Sequence, residues 1–277
     1  MPLQPDPNLL MQVVQMLEYT LAPDSNLLKQ ANEFLAQNSA NPQFVLYLVH
    51  VFIRLREAPS KIRHIAGVTL KSVIDRWYVS LPEDVRNSLR LEILDGLIDD
   101  TREIRRAAAN CITTIVRLAS LSAWPTLPGL IASALSSSNL MAQNGALEAI
   151  VMLSEDTCEQ WIYPDNVPLV GPGSTGQLIP LNSVMQPLFQ LMSSSDSKTK
   201  LLAATAMLHF ANGNLEKAAF VQYLKILSTL TNDMDVQIKC IVIKSLSCIV
   251  RSAWDVALPS IGDILRYVVE SVNDKND

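Results

Sequence analysis

Gly171-Pro172-Gly173-Ser174-Thr175-Gly176 has the glycine spacing of a dinucleotide-binding turn. Asp196 follows about twenty residues later, where such a site places an acid on the ribose. That chemistry needs a strand before the glycines and a helix opening within them, so that phosphate meets free backbone N–H groups. Pro164, Pro168, Pro172 and Pro180 crowd the same stretch, and prolines at that density interrupt strand and helix alike. No cofactor is expected there. His50, His64 and His209 share neither HExxH nor HxH spacing, and Cys111, Cys158, Cys240 and Cys248 form no CxxC pair. No metal site is expected, and the cysteines read as free core thiols of a reducing compartment. Asp99-Asp100 and Glu155-Asp156 are adjacent acids at predicted helix ends, and nothing in the pattern converges on them to make a catalytic acid or base. Without GxSxG or GxxxxGK[ST], the chain is expected not to be an enzyme.

Composition points the same way. The 277 residues are 49% hydrophobic and only 18% charged, against about 25% charged in ordinary soluble domains. Many segments must therefore be covered on more than one side. With 9 glycines and no long apolar–polar alternation, an all-β fold is excluded. A net charge of −5, from 22 Lys+Arg and 27 Asp+Glu, does not supply the basic face that nucleic-acid binding requires. Met1–Asn8 show no basic segment ahead of an apolar core, and the apolar run Leu46–Ile53 is too short to span a bilayer. A soluble intracellular protein, bound to neither membrane nor nucleic acid, is expected.

The elements that position these residues come from a repeat. A turn of Ser, Asp, Asn or Pro leads to an aliphatic residue plus Lys or Arg, then small residues about four positions on, then a longer aliphatic run. Ala58-Pro59-Ser60 is followed by Ile62-Arg63, Ala66-Gly67 and Leu70. Asp99-Asp100 is followed by Ile104-Arg105, Ala108-Ala109 and Ile112. Ser136-Ser137-Ser138 is followed by Met141-Ala142, Gly145-Ala146 and Ala149. Ser194-Ser195-Asp196 is followed by Thr199-Lys200, Ala203-Ala204 and Met207. Asp233-Met234-Asp235 is followed by Ile238-Lys239, Val242-Ile243 and Leu246. A period of about forty residues with two helices per unit is that of HEAT and armadillo repeats. Ser122-Ala123-Trp124 and Leu127-Pro128 echo Ser252-Ala253-Trp254 and Leu258-Pro259.

The pattern predicts an all-α, right-handed α-solenoid of about six and a half HEAT repeats. Its helices fall near 8–20 and 25–38, 42–56 and 60–77, 82–98 and 101–119, 124–136 and 139–154, 182–193 and 196–212, 215–231 and 235–252, and 254–272. Repeats one to four occupy 1–155, a Pro/Gly-rich inserted loop occupies 156–181, and repeats five, six and the first helix of a seventh occupy 182–277. Each hairpin buries its stripe only against its neighbours. Ala66, Ala108, Gly145 and Ala203 are expected to let second helices approach closely. Arg63, Arg105, Lys200 and Lys239 hold matched positions and are expected to bond to neighbouring turns. Leu258, Ile261, Leu265, Val268 and Val272 leave the last helix with an apolar stripe, from which a longer natural protein or a truncated isoform is expected.

These features resemble a known family. Gln43-Phe44-Val45-Leu46-Tyr47-Leu48, Ala66-Gly67-Val68-Thr69-Leu70-Lys71, Ile104-Arg105 with Ile112-Thr113-Thr114-Ile115, Trp124-Pro125 with Leu127-Pro128, and Gly145 to Ile150 with Ser154-Glu155-Asp156 stand in this order. Together they are similar to the N-terminal part of importin-β-type karyopherins, the transportin branch above all, over about residues 8–277. Ser72 stands where that family usually has Asn after Leu-Lys, and the 156–181 stretch departs from its wording. The resemblance implies a nuclear transport receptor moving between cytoplasm and nucleus. Its second helices would receive the GTP form of the small GTPase Ran, and its later first helices would take Phe side chains of FG nucleoporins. Cargo carrying a nuclear localisation signal would be held only with further C-terminal repeats. The polar residues implied for Ran are Lys29, Asn32, Glu33, Lys71, Asp75, Asn110, Thr113, Arg117 and Glu148. The alternative is a HEAT-repeat scaffold of another class without a transport role.

Overall fold

The computed structural model describes residues 5–163, 179–213 and 215–273. These residues hold helices, turns and no strand. They group into two compact units, one of Met1–Ala123 with Asn139–Ala149 and one of Trp124–Ser138 with Ile150–Asp277. The all-α fold expected from the repeat is therefore present. No helix among the described residues is long and apolar enough to cross a membrane.

The first unit runs through α1 (Pro7–Tyr19), α2 (Ser25–Asn38) and α3 (Pro42–Val49), which passes into a π-helical turn at His50–Arg54. Then come α4 (Ser60–Trp77), a 3-10 turn at Tyr78–Ser80, α5 (Glu83–Ile93), a second 3-10 turn at Leu94–Ile98, and α6 (Arg102–Ala119). Turn acids and amides start many of these helices. Asp24 Oδ1 accepts from the N–H of Asn26 at 2.7 Å, and Asn41 Oδ1 accepts from that of Gln43 at 2.9 Å. Each cap satisfies donors that the first helical turn leaves free.

α4 and α6 lie along each other, and Ala66 and Ala108 are fully buried. Close approach also recruits the first helices. A Cβ on Gly67 would come within 2.7 Å of the Phe52 ring, and one on Gly96 within 2.7 Å of Ala108 Cβ. Beneath this packing lies a buried cation. The Arg63 guanidinium pairs with the Asp99 carboxylate, and its Nε donates to Phe52 O in the π-turn at 3.1 Å. Arg105, one repeat on, donates to the Asp99 and Asp100 carbonyls at 2.7 and 3.1 Å.

Chain order continues with α7 (Leu127–Leu135) and α8 (Leu140–Asp156); residues of α8 up to Ala149 belong to the first unit and later ones to the second. Asn139 Oδ1 caps α8 by accepting from Met141 at 2.9 Å. A Cβ on Gly145 would sit 1.9 Å from Leu97 O. The smallness of this residue thus admits the carbonyl of a 3-10 turn, where a neighbouring second helix was expected.

The second unit adds α9 (Cys158–Ile162), α10 (Pro180–Met192), α11 (Ser197–Asn212), α12 (Lys217–Leu230), α13 (Val236–Ser252), α14 (Trp254–Ala257), a 3-10 turn at Leu258–Ser260, and α15 (Ile261–Asn273). Two of these differ from the sequence reading. α9 forms inside the stretch assigned to a loop, because Trp161 and Ile162 bury there and Trp161 meets the Phe210 ring at 5.9 Å. The single helix expected at 254–272 is broken, because Pro259 lacks the N–H that a continuous helix needs. The Gly171–Gly176 motif lies outside the described residues.

α11 packs along α13 with Ala203 and Ala204 fully buried. Asp196 Oδ2 caps α11 through Thr199 N–H at 2.8 Å, and Asp235 Oδ1 caps α13 through Gln237 N–H at 2.8 Å. Lys200 Nζ donates to Asp233 Oδ2 at 2.5 Å, the second unit's counterpart of Arg63 with Asp99. Tyr223 OH and Ser245 Oγ bond at 2.7 Å inside the core, where burial pushes the phenol up from its usual range. Cys111 and Cys248 are buried thiols and Cys158 is half-buried, but Cys240 is exposed on α13. The expectation of four core thiols fails for Cys240, whose turn of the helix faces solvent.

Candidate protein-binding faces

The second helices of the first unit present one continuous polar row. On α4, His64, Gly67, Val68, Lys71 and Asp75 succeed one another at helical spacing, and on α6 so do Glu103, Arg106, Ala107, Asn110 and Arg117. Side chains three and four residues apart share a helix face, so the two sets border one groove of about 490 Å³ with His64, Lys71, Ser72, Glu103, Arg106 and Asn110 among its walls. Gly67 and Ala107 also line it. Beyond Lys71 and Asn110 the row continues as the ion pair Asp75–Arg117, at 2.5 Å between half-exposed side chains. Among the described residues neither Lys71 nor Arg106 has an ion-pair partner.

The structure thus brings Lys71, Asp75, Asn110 and Arg117 together. Lys29, Asn32 and Glu33 are exposed on α2, where Lys29 and Glu33 form a loose pair at 3.9 Å. Two others are placed differently. Thr113 is buried, and its hydroxyl meets no partner among the described residues. Glu148 is also buried, accepting from Arg102 Nε at 2.9 Å and leaving Oε2 without a partner among the described residues. His64, Glu103 and Arg106 were missed by the sequence reading. A signal existed, since His64 lies seven positions before Lys71 and Arg106 four before Asn110, each on the face already singled out.

The second unit offers a different surface. Between α12 and the broken pair α14–α15 lies a groove of about 650 Å³. Val221, Leu224, Val256, Pro259, Ile264 and Tyr267 give it an apolar lining, and Lys217 and Asp255 pair at its edge. The break at Pro259 turns the chain so that α15 faces α12 with a hollow left between them. The final apolar stripe is open in part: Leu258 and Leu265 are 50% and 58% exposed.

A third hollow, of about 590 Å³, gathers Ser154, Cys158 and His209 beside Glu155, Asp156 and Glu159. Its polar groups are arranged for structure. Ser154 Oγ donates to Val151 O at 2.9 Å, a bond within its own helix, and lies 3.1 Å from His209 Nδ1. Burial, aided by Glu159, pushes the Cys158 thiol up to about 11, the reverse of an activated nucleophile.

Residues 31–99, from α2 through the turn before α6, match the importin-beta N-terminal domain model. Transportin of Dictyostelium discoideum is 24% identical over 273 residues, covering 99% of this chain and 28% of its own length. Mouse transportin-1 is 24% identical over 276 residues, covering 99% and 30%. The chain is a relative of the importin-β-type karyopherins. It spans less than a third of the length of the curated relatives it matches. The solved Kap95:Nup1 complex superposes with a TM-score of 0.75 at 17% identity, covering 97% of this chain and 32% of that one. Kap95p, in a structure describing its effect on the switch loops of RanGDP, gives 0.71 at 18% identity, covering 94% and 31%. These likenesses give this karyopherin relative the importin-β solenoid fold.

Proposed function

We propose that this chain acts as a transport receptor of the importin-β type, binding Ran in its GTP form through the second helices of the first unit. The observation that carries the reading is a coincidence of place. The segment matched by the importin-beta N-terminal domain contains α4 and most of α2, which hold four of the candidate residues, Asn32 and Glu33 on α2 and Lys71 and Asp75 on α4. Unpaired Lys71 and Arg106 beside Gly67 and Ala107 suit a partner that brings carboxylates together with one apolar side chain. Thr113 and Glu148 remain part of the proposal as buried supports of that face.

The apolar groove between α12 and α14–α15 is proposed to take Phe side chains of FG nucleoporins. A Phe ring fills such a hollow with large apolar burial at low entropic cost. The relationship to Kap95, solved with Nup1 and in connection with RanGDP, supports both partners. Shuttling between cytoplasm and nucleus goes with this reading, as does the absence of catalysis. Signal-bearing cargo is proposed only where further repeats accompany this segment.

The test is retention of Ran on the immobilised chain. Ran loaded with a non-hydrolysable GTP analogue is expected to be held at least about tenfold more than Ran·GDP, a difference of about 1.4 kcal/mol. Equal retention, or none, would count against the receptor reading.

A further inference from the structure

α2 differs from every other second helix of its unit. Of its 14 residues only Ala31 is buried, whereas α4 buries seven residues and α6 eleven. α4 and α6 lie along each other, but α2 rests on α1, with a ring contact between Phe34 and Phe44 of α3, centroids 6.0 Å apart, as a further tie. Leu28 stays 39% exposed. Local interactions hold the helix: the Asp24 cap, the Asn38 side-chain amide on Phe34 O at 2.9 Å, and the Lys29–Glu33 pair. That pair runs cation-first, the weaker order on a helix. A helix of about 14 residues is marginal in water without tertiary packing, and segments with few buried apolar contacts open most readily.

The exposed face of this helix is a stripe of Ser25, Leu28, Lys29, Asn32, Glu33 and Ala36 bordering a shallow hollow of about 420 Å³. It carries three of the residues proposed for Ran. We infer that α2 is a fastening element: largely unfastened in the free chain, it is locked in place by the partner that also occupies the α4–α6 row. The partner then supplies the packing that α4 does not give α2. Ordering and binding are coupled in both directions, since a ligand that meets an already ordered helix loses less conformational freedom. The affinity of the charged face is therefore set partly by α2, through residues such as Phe34 that do not touch the partner.

This inference rests on the Ran reading, and hydrogen exchange on the full chain separates the two. In the free chain, α2 amides are expected to exchange at least about tenfold faster than those of α4 and α6. Saturation with Ran carrying a GTP analogue should slow them by at least about tenfold and leave α13 unchanged. Phe34→Ala should raise free-state exchange in α2 and weaken Ran binding several-fold while α4 and α6 keep their protection. α2 as protected as α6 in the free chain overturns the inference, and so does Ran binding that leaves α2 exchange unchanged; in both cases the Ran reading stands. No binding of Ran at all sinks the reading and the fastening with it.

Discussion

Arg63 and Lys200 hold the same place in their repeats, each one turn into a second helix, and each reaches an acid at the start of the next repeat's turn. The first unit buries its pair, with side chains 6% and 4% exposed, and adds a bond from Arg63 Nε to the π-turn carbonyl of Phe52. The second unit leaves its pair partly solvated, at 16% and 14%, and among the described residues Lys200 bonds Asp233 without a carbonyl beside it. A planar guanidinium can serve a carboxylate and a carbonyl at once, whereas an ammonium is a compact point charge. One repeat position therefore does two jobs. In the first unit it locks second helix, first helix and turn together beneath the charged row. In the second it ties one helix to one turn.

The comparison breaks most sharply at the buried site. Arg63→Ala leaves Asp99 buried without its cation, which should cost about 3–5 kcal/mol, read from urea unfolding of the whole chain. A cost under about 1 kcal/mol would show that the burial carries no such penalty. Next in size is Gly145→Val, which drives a side chain against Leu97 O and should cost about 1–3 kcal/mol by the same measurement. Lys200→Ala should cost less, about 1 kcal/mol, because water reaches both partners. Tyr223→Phe, which removes the hydroxyl bonded to Ser245, should cost about 1 kcal/mol or slightly more as Ser245 loses its partner.

Acid sharpens the same contrast. Burial alone would raise the Asp99 carboxyl, but the bonds from Arg63 and from Thr101 N–H outweigh it and hold it below its ordinary value. The Lys200 bond, with Asp235 N–H, likewise lowers Asp233. A carboxylate whose folded value is depressed adds stability above its unfolded value and loses it as pH falls through the folded one. Stability should therefore drop below about pH 4. Arg63→Ala should flatten more of that drop than Lys200→Ala, as followed by unfolding midpoints between neutral pH and pH 3.

Much of this scaffold was legible because local chemistry dictated it. Asp24, Asn139, Asp196 and Asp235 cap the helices that follow them, and Ala66, Ala108 and Ala203 mark the close approaches. The π-turn at His50–Arg54 was not legible, since nothing in HVFIR distinguishes it from α-helix until Arg63 takes the Phe52 carbonyl. Nor could polarity alone place Thr113 and Glu148 inside, because helix periodicity gives a direction and not which neighbour covers it. The α12–α15 groove depends on the break at Pro259, which falls inside the span 254–272 that periodicity reads as one continuous helix. The Arg106 and His64 walls were within reach of the periodicity and were passed over.

The central claim is that two chemically distinct faces serve two partners. Its most direct measurement is a titration of Lys71→Glu/Arg106→Glu and of Val221→Asp against both Ran·GTP analogue and a peptide of Phe-Gly repeats. The charge reversal is expected to weaken Ran at least about tenfold and leave the peptide unaffected, and Val221→Asp to do the opposite. Both variants binding both ligands as the parent chain does, or each losing both, would contradict it.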